Sequence, residues 1–258
     1  MRYTQETGTI RFIAEIAPGI YNCLAHAPKI AAAASVGQFV NVLCGGYELR
    51  RPISLCGFDA GLGLLRLVFE VRGKGTRWLS QRQAGEELDL VGPLGHGFPL
   101  MDRNSRAVLV GGGIGTPPLL PLAQHYGSGA TAITGFRSGT AAILQDDLAG
   151  TGADCRLCTD DGSAGFHGFT TQMLEQRLNE GACDVVYTCG PKVMMKRVAA
   201  MALERGIPCY VSMEERMGCG VGACLGCVCG TKAPDGEEKM TRVCLNGPVF
   251  DAREVVWE

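Results

Sequence analysis

A chain of 258 residues, 46% of them hydrophobic, is long enough for two domains with ordinary cores and a small appendage. A formal net charge of −2 with no basic run gives no footing for nucleic acid or for an anionic membrane surface. The opening MRYTQETGTIRF carries no apolar signal region and no stretch approaches a transmembrane span, so the thirteen cysteines read as reduced thiols and metal ligands of a cytoplasmic protein rather than a disulfide framework.

Residues 1–100 hold short alternating segments, TGTIRFIAEI, QFVNVLC and LLRLVFEVR, separated by Gly and Pro turns. This pattern predicts an antiparallel β-barrel or sandwich. Two turns in the region carry polar chemistry. Arg51-Pro52-Ile53-Ser54 and Gly73-Lys74-Gly75-Thr76 offer a guanidinium, a hydroxyl and backbone amides suited to an anionic or flavin-ring ligand. Taken singly, each also reads as a surface turn with a solvated cation.

Residues 101–212 alternate strand-like runs (AVLVGGGIG, ATAITGFR, DVVYTCG, PCYVS) with helical ones (TPPLLPLAQHYG, TTQMLEQRLNEG, KVMMKRVAAMALERG). That is a βαβ pattern and predicts a parallel sheet. The first strand runs into Gly111, Gly112, Gly113, Ile114 and Gly115, followed by Thr116 and two prolines. A buried strand ending in glycines ahead of a proline-marked helix brings N–H groups and the positive helix end to one point, a seat for a pyrophosphate. The run departs from the GxGxxG fingerprint, and tight strand-to-helix turns also use glycine for steric reasons alone. Cys189, Gly190 and Pro191 end another strand, which a parallel sheet would bring to the same carboxyl edge, where open α/β sheets bind ligands. Arg137 reads as a surface arginine or as a contact for a 2′-phosphate. Cys155 and Cys158 form a CxxC, but in a short strand before TDDGS rather than at a helix start, which suits packed thiols better than a redox pair.

Residues 213–258 carry the most specific chemistry. Cys219, Cys224 and Cys227 follow the spacing C-x4-C-x2-C and are answered by Cys244, the ligand pattern of a plant-type 2Fe-2S cluster. Gly218, Gly220, Gly222 and Gly226 let the loop take left-handed conformations and turn N–H groups toward sulfur. The competing reading is a four-cysteine zinc site, but zinc sites pair two CxxC-like knuckles, whereas three cysteines crowd one loop here. No histidine follows His167, which excludes a Cys/His finger or a Rieske centre in the tail. Cys229 is an alternative ligand that spacing ranks lower.

RPIS, GKGT, GPLGHGF at 92–98, GGGIGTPPL and CGP occur in the order of the ferredoxin-NADP reductase superfamily. With ERMGCGVGACLGCVC…TRVCLNGPVF and TDDGSAGFHGF at 159–169, the chain resembles the electron-transfer subunits of class 1B dihydroorotate dehydrogenase over nearly its whole length. It departs from the pattern in the extra Cys229 and in lacking the superfamily's C-terminal aromatic, because the chain runs on into the cluster module. The resemblance implies a flavin-binding antiparallel barrel at 1–100, a parallel-sheet nicotinamide nucleotide domain at 101–212 and a small 2Fe-2S module at 213–258. It implies FAD contacts from Arg51, Pro52, Ile53, Ser54, Val68, Phe69, Glu70, Gly75 and Thr76. Gly111, Gly112, Gly113, Gly115, Cys189 and Gly190 would then lie near NAD, and Cys219, Cys224, Cys227 and Cys244 would hold the cluster.

Nicotinamide moves two electrons as hydride and an iron-sulfur centre one at a time; a flavin can do both, so FAD belongs between them. The family's direction runs from a dihydroorotate-oxidising partner with its own FMN, through cluster and FAD, to NAD+, in a heterotetramer of two subunits of each kind. Three modules leave no room for a further TIM barrel of ~250 residues, so the pyrimidine chemistry falls to the partner. The same modules also serve as diaphorase-type reductase subunits of cytosolic hydrogenases. A non-enzymatic, zinc-stabilised binding module is the reading from a different class.

Overall fold

The computed structural model describes residues 3–233 and 235–257, which fall into two compact units. One comprises the residues up to Phe98 with Glu214–Cys229 and Met240–Val249; the other comprises Pro99–Met213, Gly230–Lys239 and the residues from Phe250 onward. The cysteine-rich tail is thus shared between them.

The first unit is built on β1 (Thr4–Ala17), β2 (Ile20–His26), β3 (Phe39–Val42), β4 (Arg51–Asp59), β5 (Leu64–Glu70) and β6 (Glu87–Leu94). All neighbouring pairs are antiparallel and the order β1-β2-β5-β4-β3-β6 closes on itself. Closure leaves no unpaired edge. Alternate residues point inward, and they are the apolar ones: Cys23 and Ala25, Val40 and Val42, Ile53 and Leu55, Leu65, Leu67 and Phe69, Leu88 and Leu90. Helix α1 (Pro28–Ala33) adds Ile30 and Ala31 to this core. Pro28 suits the first helical position, and the Glu6 carboxylate accepts the N–H groups of Lys29 and Ile30 at 3.1 and 2.9 Å, which otherwise lack partners at a helix start.

The GKGT segment differs from the expected turn: it is the opening of helix α2 (Lys74–Ser80). The reason lies in Thr76, whose hydroxyl accepts the N–H groups of Arg72 and Gly73 at 3.0 and 3.2 Å and so closes the first turn from within.

The second unit contains β7 (Ala107–Gly112), β8 (Ala130–Phe136), β9 (Asp154–Thr159), β10 (Phe166–His167), β11 (Val185–Cys189) and β12 (Cys209–Ser212). Its helices are α3 (Leu120–Tyr126), α4 (Gln145–Ala149), α5 (Thr170–Glu180) and α6 (Lys192–Glu204). The strands pair in parallel in the order β10-β9-β8-β7-β11-β12. Every residue of β7 is buried, as expected for a central strand covered on both faces. The chain runs outward from β7 through β8 and β9, then returns to lay β11 on the other side of β7. The topological switch point of the sheet therefore lies between β7 and β11.

The glycine run leads into two 3-10 turns, Gly113–Gly115 and Pro117–Leu119, and regular helix begins only at Leu120. Pro117 and Pro118 have no N–H to donate, so the start is carried by the bonds from Thr116 N to Gly113 O and from Leu119 N to Thr116 O. The tail supplies the hairpin β13 (Val228–Lys232) and β14 (Glu238–Arg242), a short helix α7 (Val243–Asn246), and β15 (Val249–Asp251), which joins the sheet beside β12.

Tyr187, fully buried in β11, anchors the start of the second unit. Its hydroxyl donates to the Pro99 carbonyl at 2.7 Å and accepts from the Tyr126 hydroxyl at 2.7 Å, while Tyr126 accepts the N–H of Met101 at 2.9 Å. Burial, reinforced by the Tyr126 hydrogen bond, pushes the Tyr187 phenol up. Tyr187→Phe should lower the free energy of urea unfolding by about 1–3 kcal/mol, because it strands buried acceptors and donors; an unchanged transition would mean that water replaces the hydroxyl.

Candidate functional site

In the barrel, Arg51, Pro52, Ile53 and Ser54 of β4 stand opposite Val42, Asn41, Val40 and Phe39 of β3. Ile53 points into the core, Pro52 is exposed and Ser54 is half-buried. The Arg51 guanidinium donates through Nη1 to the carbonyls of Leu49 and Arg50, at 2.6 and 3.3 Å. Gly75 lies directly against it: a Cβ there would stand 2.5 Å from Arg51 Nε and 3.0 Å from Cζ. The two motifs, distant in sequence, form one site, and glycine is what lets them meet. The helix start at Gly75 and Thr76 and the guanidinium make a cradle whose chemistry fits the phosphates or polar ring edge of a flavin nucleotide. Val68 and Glu70 alternate away from the core, and Glu70 accepts from Arg72 Nε at 2.6 Å. The Phe69 ring is core, stacked on Tyr21 with ring centroids 5.8 Å apart, so Phe69 can offer a ligand only its backbone.

In the parallel sheet, Cys189 pairs in register with Gly111, at the carboxyl edge of the switch point. The glycines there sheathe one another. A Cβ on Gly190 would stand 2.9 Å from Gly112 N, one on Gly112 would stand 2.7 Å from Pro191 Cδ, and one on Gly115 would collide with the Cys189 carbonyl. Gly113 differs, with φ of +53° and open space where its side chain would be. Three of these glycines thus serve close packing, and Gly113 leaves its backbone bare. The hydroxyls of Thr116 and Thr188 flank this edge, buried and without a hydrogen-bond partner among the described residues. A crevice with glycine backbone and orphaned hydroxyls at a switch point fits a dinucleotide. Arg137 is exposed just past the end of β8. Cys155 and Cys158 lie within β9, and burial pushes the Cys158 thiol up to about 11, which marks it as a packed thiol rather than a nucleophile.

The cysteine loop turns at Gly220 and Gly222, both with left-handed φ. These turns direct three N–H groups at one sulfur: Cys219 Sγ accepts from Val221, Ala223 and Cys224 at 3.4, 3.2 and 3.4 Å. Burial alone would raise the Cys219 thiol, but these donors outweigh it and hold it at about 6. Cys219 N donates in turn to Cys224 Sγ at 3.5 Å, and Cys244 N, in α7, to Cys227 Sγ at 3.4 Å. Burial and the neighbouring Cys227 push the Cys244 thiol up to about 12. The four sulfurs are thus arranged as two pairs, 219 with 224 and 227 with 244. Among the described residues no group of three or more His, Cys, Asp or Glu converges as a ligand set for one ion. Two pairs fit two irons with two thiolates each. Cys229 is a buried residue of β13, beyond the loop.

Two supports of the loop escaped the sequence reading. Arg242 donates through Nη1 to the Gly222 carbonyl at 2.6 Å. Asn41 of β3 donates through Nδ2 to the Cys219 carbonyl at 3.3 Å. A polar residue between Val40 and Val42 in a strand otherwise destined for the core was the available signal.

The fold matches a solved NADH-dependent reduced ferredoxin-NADP oxidoreductase, reported for flavin-based electron bifurcation, with a TM-score of 0.86 and 30% identity over 97% of this chain and 90% of that one. Closed barrel, parallel sheet and paired-cysteine loop define an iron-sulfur flavoprotein reductase of the ferredoxin-NADP reductase type. Residues 214–256 match the family described as the iron-sulfur cluster binding domain of dihydroorotate dehydrogenase B. The chain is 45% identical over 228 residues to the dihydroorotate dehydrogenase B (NAD(+)) electron transfer subunit of Geobacillus kaustophilus strain HTA426, covering 85% of this chain and 86% of that protein. It is 40% identical over 260 residues to the subunit of the same name from Geobacillus sp. strain WCH70, with 98% of each chain covered. It belongs to the family of dihydroorotate dehydrogenase B electron transfer subunits.

Single Cys→Ser changes at 219, 224, 227 and 244 should each abolish retention of iron and acid-labile sulfide, while Cys229→Ser should keep both. A full cluster in any of the first four, or loss confined to the Cys229 variant, would reassign the ligands. Arg51→Ala should weaken FAD retention after dialysis by about 1.5–3 kcal/mol, the worth of hydrogen bonds to a charged group, and Thr76→Val should weaken it less. Undiminished flavin in both variants would move the flavin off this cradle.

Proposed function

We propose that the chain is the electron-transfer subunit of a dihydroorotate dehydrogenase and delivers electrons from an FMN-containing partner to NAD+. The observation that carries this is the paired arrangement of Cys219 with Cys224 and of Cys227 with Cys244, on a loop packed against the flavin-type barrel. The net reaction is dihydroorotate plus NAD+ giving orotate, NADH and a proton, with the pyrimidine oxidised on the partner. When bound, the 2Fe-2S cluster would supply single-electron relay, and FAD would supply the exchange between two single electrons with a proton and the hydride that NAD+ accepts.

The residues divide this work. Cys219, Cys224, Cys227 and Cys244 hold the irons, and the N–H groups aimed at Cys219 stabilise negative charge on sulfur. Arg51, Pro52, Ile53 and Ser54 of β4, Val68, Phe69 and Glu70 of β5, and Gly75 and Thr76 of α2 form the FAD site. Arg51 supplies charge, Gly75 the space for close approach, and Phe69 backbone only. Gly111, Gly112, Gly113, Gly115, Cys189 and Gly190 would seat the nicotinamide dinucleotide, with the Gly113 backbone left open toward it. As a functional division we keep 1–100 for FAD, 101–212 for NAD and 213–258 for the cluster.

The cluster loop also supports a partner. Cys224 is exposed, and Leu225 beside it is 64% exposed with φ of +57°, a left-handed conformation that a large non-glycine residue rarely takes. An apolar side chain held outward next to a ligand cysteine favours burial by a second subunit, with Val221 half-buried on the same loop. The assembly we propose is a heterotetramer with two copies of each subunit. Among the described residues no helix is long and apolar enough to cross a membrane. The thirteen cysteines are all free of disulfides, which supports a reducing cytoplasmic setting.

Mixing the chain with an FMN-containing dihydroorotate-oxidising subunit should produce NADH on addition of dihydroorotate, and Leu225→Asp and Val221→Asp should weaken the association. NAD+ reduction no faster than with the separate proteins would exclude this partner, and association unmoved by both changes would exclude this docking loop.

A further inference from the structure

All four residues of β3 are buried, and three of them are apolar. Asn41 is the exception, only 1% exposed. A buried amide is costly unless its groups are bonded, yet Asn41 satisfies only one end. Nδ2 donates to the Cys219 carbonyl, while Oδ1 is buried with no hydrogen-bond partner among the described residues. The Cys219 carbonyl can only accept, so turning the amide over would set two oxygens face to face. The fold thus keeps an orphaned acceptor in order to keep this donor.

The donor acts at the tightest point of the cluster loop. Gly220 turns there with φ of +70°, and any Cβ on it would overlap Asn41 Nδ2. Holding the Cys219 carbonyl toward Asn41 fixes the peptide from which the chain makes its left-handed turn at Gly220. The N–H groups of Val221, Ala223 and Cys224 then converge on Cys219 Sγ. At the same time the Asn41 backbone stands opposite Pro52, and its neighbour Val42 opposite Arg51. One residue therefore belongs to the ladder that carries the flavin motif and grips the peptide of the first cluster cysteine.

We propose that Asn41 is a positioning residue that sets the reduction potential of the cluster: it locks the Cys219 peptide to the flavin-bearing ladder and so keeps the N–H donors trained on the Cys219 sulfur. The inference rests on the cluster assignment above. Hydrogen bonds to cluster sulfur favour the reduced, more negative state, so slackening them lowers the potential.

The test uses the full chain loaded with FAD and cluster, in wild-type form and as Asn41→Leu and Asn41→Asp. Leucine keeps the volume and removes both the donor and the orphaned acceptor; aspartate is isosteric but cannot donate when ionised. Both variants should retain FAD, iron and sulfide, and NADH should reduce their flavin at the wild-type rate. The midpoint potential of the cluster, followed by electron paramagnetic resonance during a redox titration, should be more negative in both, with altered g values. A wild-type potential and spectrum in Asn41→Leu would overturn the proposal, and a shift in Asn41→Asp alone would reduce it to a charge effect. Loss of iron from both variants with flavin retained would also overturn it, since Asn41 would then merely hold the loop together. A wild-type chain that takes up no iron would instead bring down the cluster assignment, and this inference with it.

Discussion

Bringing four thiolates into one small volume is the constraint on which the rest of this molecule depends. Like charges at such distances repel strongly, and burial makes ionisation harder still. The chain answers differently at the two ends of the site. At Cys219 three N–H groups draw the thiol down to about 6, so that end is ready to lose its proton. At Cys244 burial and the adjacent Cys227 push it up to about 12, so that end releases its proton only when metal charge replaces it. The loop supplies what a backbone can supply, and the remainder would have to come from the charge of a bound metal.

That demand explains the shape of the loop. A backbone can aim successive N–H groups at one atom only by turning through left-handed conformations, which Gly220 and Gly222 take without strain. A loop made of such turns has little apolar surface of its own. It is held from outside instead, by Asn41 on the Cys219 carbonyl and by Arg242 on the Gly222 carbonyl. The chain after Cys244 is held too, where His96 donates its N–H to the Gly247 carbonyl at 2.5 Å. The barrel is therefore the frame of the cysteine loop as well as of the joined RPIS and GKGT segments.

The nucleotide edge is governed by close approach rather than by charge. Gly112, Gly115 and Gly190 are packed so tightly that side chains there would meet backbone or proline. This is why the run need not follow the GxGxxG spacing: the glycines answer to the neighbouring Cys189–Gly190 segment, and only Gly113 is left facing open space. Regular helix likewise begins only at Leu120, after two 3-10 turns, where the sequence pattern suggested an earlier start.

Local pattern was enough for whatever depends on spacing along the chain. Alternating apolar residues announced the barrel strands, whose inward positions are the apolar ones in β2 to β6. The βαβ rhythm announced the parallel sheet, and C-x4-C-x2-C with a later cysteine announced a metal-sulfur loop. Contacts between distant segments were not legible, because they depend on which strands become neighbours. Nothing in RPIS or GKGT reveals that Gly75 rests on Arg51, nor that GKGT opens a helix closed by Thr76. Phe69 and Val68 look alike in sequence, and only the closed barrel decides that the ring of Phe69 belongs to the core. Asn41 gave one sign, polarity in a buried strand, but its partner lies 178 positions away at Cys219. Sequence by itself determined the chemistry available, thiolates, guanidinium and bare glycine backbone; tertiary structure decided where each is spent, because hydrogen bonds and packing act over a few ångströms of space whatever the separation along the chain.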